Sequence, residues 1–327
     1  MQNSQKYSLD IVVPCYNEQD ALPQTVAVIL EYMRGLLKQS KLRIASFQLL
    51  LVDDGSEDTT WQIINELVRS NPELVGIKLS RNFGHQNALL AGLSKSTGDV
   101  CISIDADLQD DINGIENMLK AFEAGSDLAL GVRVERTTDS GFKRISAEIY
   151  YKLLTLLGVQ VIVNHADYRL LSRKALTALL AHNEINLYLR GIITALGFKT
   201  TIVPYSRQPR NAGETKYTTR KMIQLAIDGI TSFSIVPLRL VTFMGSVLFV
   251  LSFCVGSYFL VQSLFAPSSV VPGWASTVLP LLFLGGMQLL SIGILGEYVG
   301  KIYMEVKHRP RFIIETVTSD IRGDVPG

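Results

Sequence analysis

The chain has 327 residues, a formal net charge of +1 and 47% hydrophobic residues. This length suits one large domain or two smaller ones, and the balanced charge argues against wholesale nucleic-acid binding. The three cysteines (Cys15, Cys101 and Cys254) have neither a metal-type spacing nor a disulfide framework, which indicates a reducing compartment. Because the polar N-terminus runs directly into a predicted strand, we expect no secretory signal peptide.

The N-terminal half alternates between short apolar runs and helical patterns. The runs predict strands at 9–14, 47–53, 74–80, 100–105 and 127–132, and the segments between them predict helices at 21–37, 59–69, 86–94 and 112–122. This alternation predicts an α/β fold with a doubly wound, mostly parallel sheet. From about residue 141 to 233 the pattern becomes more helical, with one further predicted strand at 198–206.

Polar clusters follow three of the predicted strands at their carboxyl ends. PCYNE ends the first strand, DDGSEDTT the second and DADLQDD the fourth. Ligands of doubly wound sheets bind beyond the carboxyl ends of the strands. We therefore expect one crevice to collect all three clusters.

The cluster DADLQDD contains Asp105 and Asp107, two residues apart after a buried strand. Mg²⁺ typically takes one or two carboxylates together with substrate phosphates, so this pair suits a metal–diphosphate site. Solvated loop acids, or a helix N-terminus that favours Asp110 and Asp111, explain the cluster equally well when it is taken alone.

The cluster DDGSEDTT places Asp53 and Asp54 at the end of the second strand. Three residues of the same cluster are able to cap the next helix: Ser56, Asp58 and Thr59. Capping does not account for the two acids, whose carboxylates can accept from a nucleobase or from ribose hydroxyls. At the end of the first strand, which Pro14 stops, Tyr16 can stack on a base.

Charged residues are absent from 240–296, where two apolar stretches at 240–265 and 274–295 are each long enough to span a bilayer. Water-soluble helices rarely run so long without a charged face, so these stretches predict a membrane hairpin. Basic residues flank it on both sides: Lys216, Arg220, Lys221 and Arg239 before, and Lys301, Lys307, Arg309 and Arg311 after. By the positive-inside rule, both termini and the N-terminal part are expected in the cytoplasm.

The motifs VVPCYNE, LLVDDGSEDTT, GHQNALLAGL and DADLQD resemble, in order and spacing, the family 2 glycosyltransferases with the GT-A fold. The segments NHADYRLLSRKAL, YLRG and RNAGETKYTTRKM are similar to the polyprenyl-phosphate glycosyltransferases, a group that includes dolichol-phosphate mannose synthase and the bacterial bactoprenol glucosyltransferases. The resemblance covers essentially the whole chain, and the bactoprenol branch is matched through NHADYRLLSR and the paired spans. Because the only tryptophans are Trp61 and Trp274, the Q-x-x-R-W motif of processive synthases is missing.

The resemblance assigns roles to particular residues of this sequence. It implies a nucleotide site at Pro14, Tyr16, Glu18 and Asp54, the last reading the base. It implies that Asp105 and Asp107 are the D-x-D pair, with Asp107 and Gln109 contacting Mg²⁺ or Mn²⁺. Asp167 matches an active-site acid, and Arg210 and Lys216 match a basic segment that faces phosphate.

The implied reaction moves one hexose from a UDP-sugar to the phosphate of a membrane polyprenol, with inversion of the anomeric centre. A phosphate monoester is already mostly dianionic at neutral pH, so Asp167 is equally well a base or a positioning residue. Among the arginines, we prefer Arg133 as the contact of the acceptor phosphate, because it is nearest to a strand end. Other basic residues are weaker candidates or surface charges: Arg136, Lys143, Arg144, Arg169, Arg190 and Arg207. We leave His85 and His165 out of the metal site, since neither has a second histidine at metal spacing.

The expected layout has four parts. A cytoplasmic GT-A domain covers 1–210, an amphipathic juxtamembrane region 211–237, a two-helix hairpin 238–300 and a cytoplasmic tail 301–327, in the inner (plasma) membrane. A helix packed on the domain core explains the apolar stripe of 211–237 nearly as well. Two alternatives stay open: another donor (GDP-mannose or a modified UDP-pentose), and a non-catalytic adaptor that binds UDP-sugar. A homo-oligomeric state is compatible with each of them.

Overall fold

The structure is a computed structural model that describes residues 5–39, 41–133, 165–182, 189–206, 238, 241–248, 250–251, 254 and 274–319. The chain divides into two compact units. The first comprises Met1–Tyr151, Gln160–Tyr217 and Arg309–Gly327, and the second comprises Lys152–Val159 and Thr218–His308. The four-part layout expected from the sequence stays a prediction.

An eight-stranded sheet forms the centre of the first unit. Its strands are β1 (Tyr7–Cys15), β2 (Ile44–Asp53), β3 (Leu74–Leu79), β4 (Val100–Ser103), β5 (Leu128–Arg133), β6 (His165–Ser172), β7 (Thr200–Tyr205) and β8 (Ile314–Ser319). The helices are α1 (Leu22–Gln39), α2 (Thr60–Ser70), α3 (His85–Lys95), α4 (Gly114–Glu123), α5 (Arg173–Leu180) and α6 (Leu189–Ala195). The strands and helices predicted between residues 9 and 132, and the strand predicted at 198–206, are all present.

The sheet has the strand order β7-β5-β6-β4-β1-β2-β3-β8. Strand β1 pairs in parallel with β2 and β4, β2 with β3, and β5 with β7. Strand β6 runs antiparallel to β4 and β5, and β8 runs antiparallel to β3. The predicted α/β fold with a mostly parallel sheet is confirmed as a mixed sheet of the kind typical of the GT-A fold.

Two strands, β6 and β8, were not predicted. Strand β6 lies in a region that the sequence indicates as more helical, and its polar residues interrupt the apolar run expected of a buried strand. Strand β8 lies in the region expected to be a cytoplasmic tail and instead pairs with the edge strand β3. Both are antiparallel additions to a parallel core, and such strands need not be continuously apolar.

Helix α3 packs against the sheet through a glycine. A Cβ atom added at Gly92 would lie 2.3 Å from Val12 Cγ1 and 2.8 Å from Val52 Cγ2, both of which are side chains of buried strands. The helix therefore approaches the sheet so closely that no larger residue fits at this position.

Replacing Gly92 with alanine is expected to lower the free energy of unfolding by about 1–3 kcal/mol, because the new methyl group overpacks the interface. Thermal and denaturant unfolding of the full chain would measure the change. Gly35→Ala in α1 is the matched control, since a Cβ there meets nothing within 4 Å and alanine favours the helix by up to about 1 kcal/mol. An unchanged stability of Gly92→Ala would contradict the close approach of α3.

The second unit contains α7 (Trp274–Val306), a helix of 33 residues. Within the described residues it is the one helix long and apolar enough to cross a membrane, over Phe283–Val306. Large apolar side chains on it are exposed, Leu289 at 72% among them. Of the first predicted span, residues 241–248 are helical with Phe243 exposed, and most of the remainder lies outside the described residues. One helix compatible with membrane association is therefore present and covers the second predicted stretch, and the span predicted at 240–265 stays a prediction.

Candidate active site

The loops that follow β1 and β2 are joined by hydrogen bonds. The Asn17 backbone N–H donates to Ser56 Oγ at 3.0 Å, and Glu57 N–H donates to Asn17 Oδ1 at 2.9 Å. Asn17 has a left-handed φ of 53°, a conformation that asparagine tolerates better than most residues. Of the three predicted capping residues, Asp58 accepts through Oδ1 from the first N–H of α2, at Thr60. The capping roles predicted for the other two are wrong: Thr59 stands at the N-cap position without a side-chain cap hydrogen bond, and the Ser56 hydroxyl serves the loop junction.

The predicted nucleotide residues of the first loop lie at the carboxyl end of β1. Pro14 is the penultimate residue of the strand, and the Tyr16 ring is 37% exposed immediately after it. The Glu18 N–H donates to Thr60 Oγ1 at 2.9 Å, which fixes the start of the following helix against α2. An exposed aromatic ring beside anchored backbone is a suitable surface for a base, and the nucleotide role of these residues stays a prediction.

Asp54 has structural partners that sequence reasoning missed. Its carboxylate oxygens accept from the backbone N–H groups of Phe83 at 2.7 Å and Gly84 at 2.9 Å, in the loop before α3. Burial raises the pKa of Asp54, and these two hydrogen bonds oppose the rise. The acid at the strand end therefore has a loop-organising role independent of any ligand, and its reading of a base stays a prediction.

The D-x-D segment turns sharply after β4. Leu108 has a φ of 51°, which is unusual for a bulky residue, and the Gln109 N–H donates back to Asp107 Oδ1 at 3.2 Å. The Gln109 side chain is buried beside Asp107. Backbone in such a sparsely populated conformation is found often at functional sites, and the metal role of this turn stays a prediction.

The two acids at the end of DADLQDD have different environments. Asp111 Oδ1 accepts from the Asn113 N–H at 3.0 Å, so Asp111 stabilises the turn into α4 as the alternative interpretation expects. Asp110 is buried, and its Oδ1 accepts from the Tyr205 hydroxyl at 2.6 Å. Asp110 is therefore not a solvated loop acid.

Strand β6 brings Asp167 to the D-x-D loop. The Ser103 hydroxyl at the end of β4 donates to the Asp167 carbonyl at 2.6 Å, and the Asp167 carboxylate forms an ion pair with Arg169. Arg169 is fully buried, and its ranking as a weaker phosphate candidate stays a prediction. The alternation of polar and apolar residues in HADYRL was the signal that could have placed this strand.

His85, the first residue of α3, lies between two acids of the site. Its Nε2 is 3.5 Å from Asp105 Oδ1 and 3.7 Å from Asp167 Oδ2. Burial raises the pKa of Asp105 to about 6, with Asp167, Asp110 and Asp107 adding to the rise and His85 opposing it. Sequence reasoning treated His85 as a lone loop histidine and missed this position.

Arg133, at the end of β5, extends toward the same cluster. Its Nε–H donates to the Tyr205 hydroxyl at 3.1 Å, and its Nη2 is 3.9 Å from Asp110 Oδ1. The side chain is 30% exposed, so part of the guanidinium is accessible. The remaining basic candidates lie outside the described residues or have side chains outside them: Arg136, Lys143, Arg144, His165, Arg190, Arg207, Arg210 and Lys216.

The donor atoms near the D-x-D turn suit a hard divalent cation. Across the described residues no three His, Cys, Asp or Glu side chains form a ready-made metal cage. Mg²⁺ needs only one or two carboxylates, because it retains water and takes substrate phosphate oxygens. The carboxylate of Asp107 and the side-chain amide of Gln109 are oxygen-bearing groups that one turn places two residues apart. The residues present therefore fit the cation expected from the sequence.

Acids and an arginine therefore lie together at one end of a mixed α/β sheet, and comparison with known proteins gives the family of the chain. The glycosyl transferase family 2 profile matches residues 10–180. A glycosyltransferase of Bacillus subtilis named YkoT is 45% identical over 94% of this chain and 91% of its own length. The chain belongs to glycosyl transferase family 2, and it is a glycosyltransferase.

Two further relatives carry more specific names. The prophage bactoprenol glucosyl transferase homolog of Escherichia coli is 39% identical over 94% of this chain and 99% of that protein. The bactoprenol glucosyl transferase of Shigella phage SfV is 39% identical over 94% of this chain and 98% of that protein. A solved mannosyltransferase, PcManGT from Pyrobaculum calidifontis in complex with GDP-Man and Mn²⁺, has 16% identity and a TM-score of 0.45 over 94% of this chain and 88% of its own. A likeness that weak carries no inference about substrate or metal.

Proposed function

We propose that this protein transfers a hexose, glucose from UDP-glucose, to the phosphate of a membrane polyprenol such as undecaprenyl phosphate. The observation that carries the proposal is the meeting of Asp105, Asp107 and Asp167 with Arg133 around one end of the sheet. Acids suit a metal-bound sugar diphosphate, and an arginine suits a second phosphate. The two relatives named as bactoprenol glucosyl transferases support both the lipid acceptor and the sugar.

Donor binding is assigned to the loops after β1 and β2. Tyr16 stacks on the uracil, and Pro14, Glu18 and Asp54 shape the pocket for the nucleotide. The basic segment that contains Arg210 and Lys216 faces the phosphates in this proposal and lies outside the described residues. Asp107 and Gln109 would hold Mg²⁺ or Mn²⁺, which when bound neutralises charge on the leaving diphosphate.

Acceptor binding is assigned to Arg133. The guanidinium donates to the acceptor phosphate and so brings two anionic substrates together. The phosphate is mostly dianionic at neutral pH and attacks without a strong general base, opposite the leaving UDP, which inverts the anomeric centre.

Asp167 acts in this mechanism as a positioning residue and not as a base. Its carboxylate is already paired with Arg169, and a carboxylate paired with a guanidinium is a poor acceptor for a further proton. Its second oxygen lies near His85, so Asp167 is able to fix that ring beside the sugar. Asp105, in the D-x-D loop, approaches the same ring nitrogen, with its Oδ1 at 3.5 Å from His85 Nε2.

The proposed location is the cytoplasmic face of the inner membrane, with two spans and both termini in the cytoplasm. The exposed apolar surface of α7 and the basic residues that follow it support this orientation. Labelling single cysteines introduced at Ser8 and within residues 266–273, between the two predicted spans, would test it, because only the second cysteine is expected to react from the periplasmic side.

Incubating membranes that contain the protein with labelled UDP-glucose, Mn²⁺ and undecaprenyl phosphate tests the function directly. We expect a labelled lipid that is stable to base and labile to mild acid, as a sugar phosphodiester is. If the lipid were labelled from GDP-mannose or from a UDP-pentose and not from UDP-glucose, that sugar nucleotide would be the donor in place of UDP-glucose. Tight UDP-glucose binding without any labelled lipid would instead favour the non-catalytic adaptor.

A further inference from the structure

We propose that Tyr205 is a positioning residue that holds the Arg133 guanidinium ready for the acceptor phosphate and keeps it apart from Asp110. This inference rests on the function proposed above, in which Arg133 contacts that phosphate. Neither the sequence motifs nor the family resemblance assigns a role to Tyr205.

The hydrogen bonds of Tyr205 have a fixed direction. A phenol has one proton, and at 2.6 Å Tyr205 donates it to Asp110 Oδ1, because a carboxylate has only acceptors. The phenol oxygen is then the acceptor for the Arg133 Nε–H at 3.1 Å. Each bond polarises the other in a chain that runs from a cation through a neutral hydroxyl to an anion.

The Tyr205 ring has little freedom to move. The residue is 3% exposed and forms an edge-on contact with Tyr168, with ring centroids 5.3 Å apart at 88°. A Cβ added at Gly131 would lie 3.1 Å from Tyr205 Cε1, so β5 passes close to the ring. Tyr205 and Arg133 are also register partners in the neighbouring parallel strands β7 and β5. The hydroxyl is therefore presented to the arginine by rigid elements.

The position of the Tyr205 hydroxyl keeps the Arg133 guanidinium at a distance from the Asp110 carboxylate. The nearest approach of Arg133 Nη2 to Asp110 Oδ1 is 3.9 Å, longer than the 2.7–2.9 Å typical of a charge-assisted hydrogen bond. The hydroxyl of Tyr205 occupies the position between them and joins both. Without it, the guanidinium is free to close onto the buried carboxylate and would then bind the phosphate less well.

The test is a steady-state measurement on Tyr205→Phe of the full chain in its membrane or in detergent. We expect the KM for undecaprenyl phosphate to rise about tenfold, which corresponds to about 1.4 kcal/mol, because the hydrogen bond that orients the guanidinium is lost. The KM for UDP-glucose and the affinity for UDP with Mn²⁺ are expected to change less than about twofold. Tyr7→Phe is the matched control, since it removes a phenol hydrogen bond to Glu123 outside the site and should leave both KM values unchanged.

A double-mutant cycle separates positioning from a merely structural effect. Arg133→Gln should raise the acceptor KM at least as much as Tyr205→Phe, and adding Tyr205→Phe to it should raise that KM no further. The Arg133 variant keeps the buried phenol and so reports on the acceptor even if the phenylalanine variant fails to fold.

Three outcomes overturn the inference. They are an unchanged acceptor KM in folded Tyr205→Phe, an unchanged acceptor KM in Arg133→Gln, and additive effects in the cycle. A wild-type protein that makes no labelled lipid would instead contradict the proposed function itself, and the inference with it.

Discussion

Replacing Asp107 with asparagine is expected to lower turnover by about a thousandfold while the protein still folds and inserts. The carboxylate supplies one of the two side-chain oxygens assigned to the cation, and charge neutralisation on the leaving diphosphate contributes several kcal/mol to the transition state. Production of labelled lipid at saturating Mn²⁺ would measure the loss. The same variant should lose the rise in melting temperature that Mn²⁺ gives the wild type, because the stabilisation by a ligand depends on its affinity.

Asp111→Asn is the control for this experiment, since Asp111 belongs to the same acidic run but stabilises the turn before α4. We expect its turnover within about twofold of the wild type, because surface changes outside a site have small effects. Chelation by EDTA should abolish wild-type turnover and Mn²⁺ should restore it. Normal turnover in Asp107→Asn, or indifference to EDTA, would overturn the metal assignment.

Replacing Asp167 with alanine is expected to lower the free energy of unfolding by roughly 3–5 kcal/mol, the loss typical of breaking a buried ion pair. Arg169 is completely buried, so its charge would lose the carboxylate that pairs with it inside the protein. Activity should disappear together with stability, because the same carboxylate lies beside His85. Thermal unfolding and lipid labelling on one preparation would measure both.

Two further variants make this prediction specific. Glu116→Ala removes the exposed pair with Lys120 on α4 and should change stability by less than about 1 kcal/mol. Asp167→Asn keeps the shape and an acceptor oxygen, so it should be more stable than Asp167→Ala and still retain measurable turnover if Asp167 only positions other groups. Complete loss of turnover in a stable Asp167→Asn would return the residue to the role of base.

The sequence predicted the parts of the fold that depend on local pattern. The first five strands are short apolar runs, as burial of a parallel sheet on two faces requires, and polar clusters follow three of them. Ligands of doubly wound sheets bind beyond the carboxyl ends of the strands, and this rule led to the expectation that the three clusters share one crevice. The Thr25 hydroxyl in α1, the helix that follows the first cluster, donates to the Ala106 carbonyl in the loop after β4 at 2.7 Å.

The missed features depend on pairings between distant residues. Tyr205 and Asp110 are separated by 95 positions, and nothing in the local sequence of either indicates the other. Asp54 finds its partners in backbone N–H groups, which have no sequence signature. His85 stood inside a recognised motif, yet its position near two acids required the N-terminus of α3 to meet both the loop after β4 and strand β6. Spacing along the chain therefore predicted where the site is, and tertiary pairing decided which residues act in it.

Strand β8 is synthesised last among the strands of the sheet, so the sheet is completed only late in translation. It covers the outer edge of β3, but it follows the long apolar helix in the chain, so the ribosome releases it only after that helix has been made. Until then β3 presents a row of unpaired N–H and C=O groups on that side, the arrangement that invites edge-to-edge association. A premature stop between residues 307 and 313 would remove β8 and leave the outer edge of β3 permanently unpaired. Chains of that length should aggregate although they contain every residue assigned to the site.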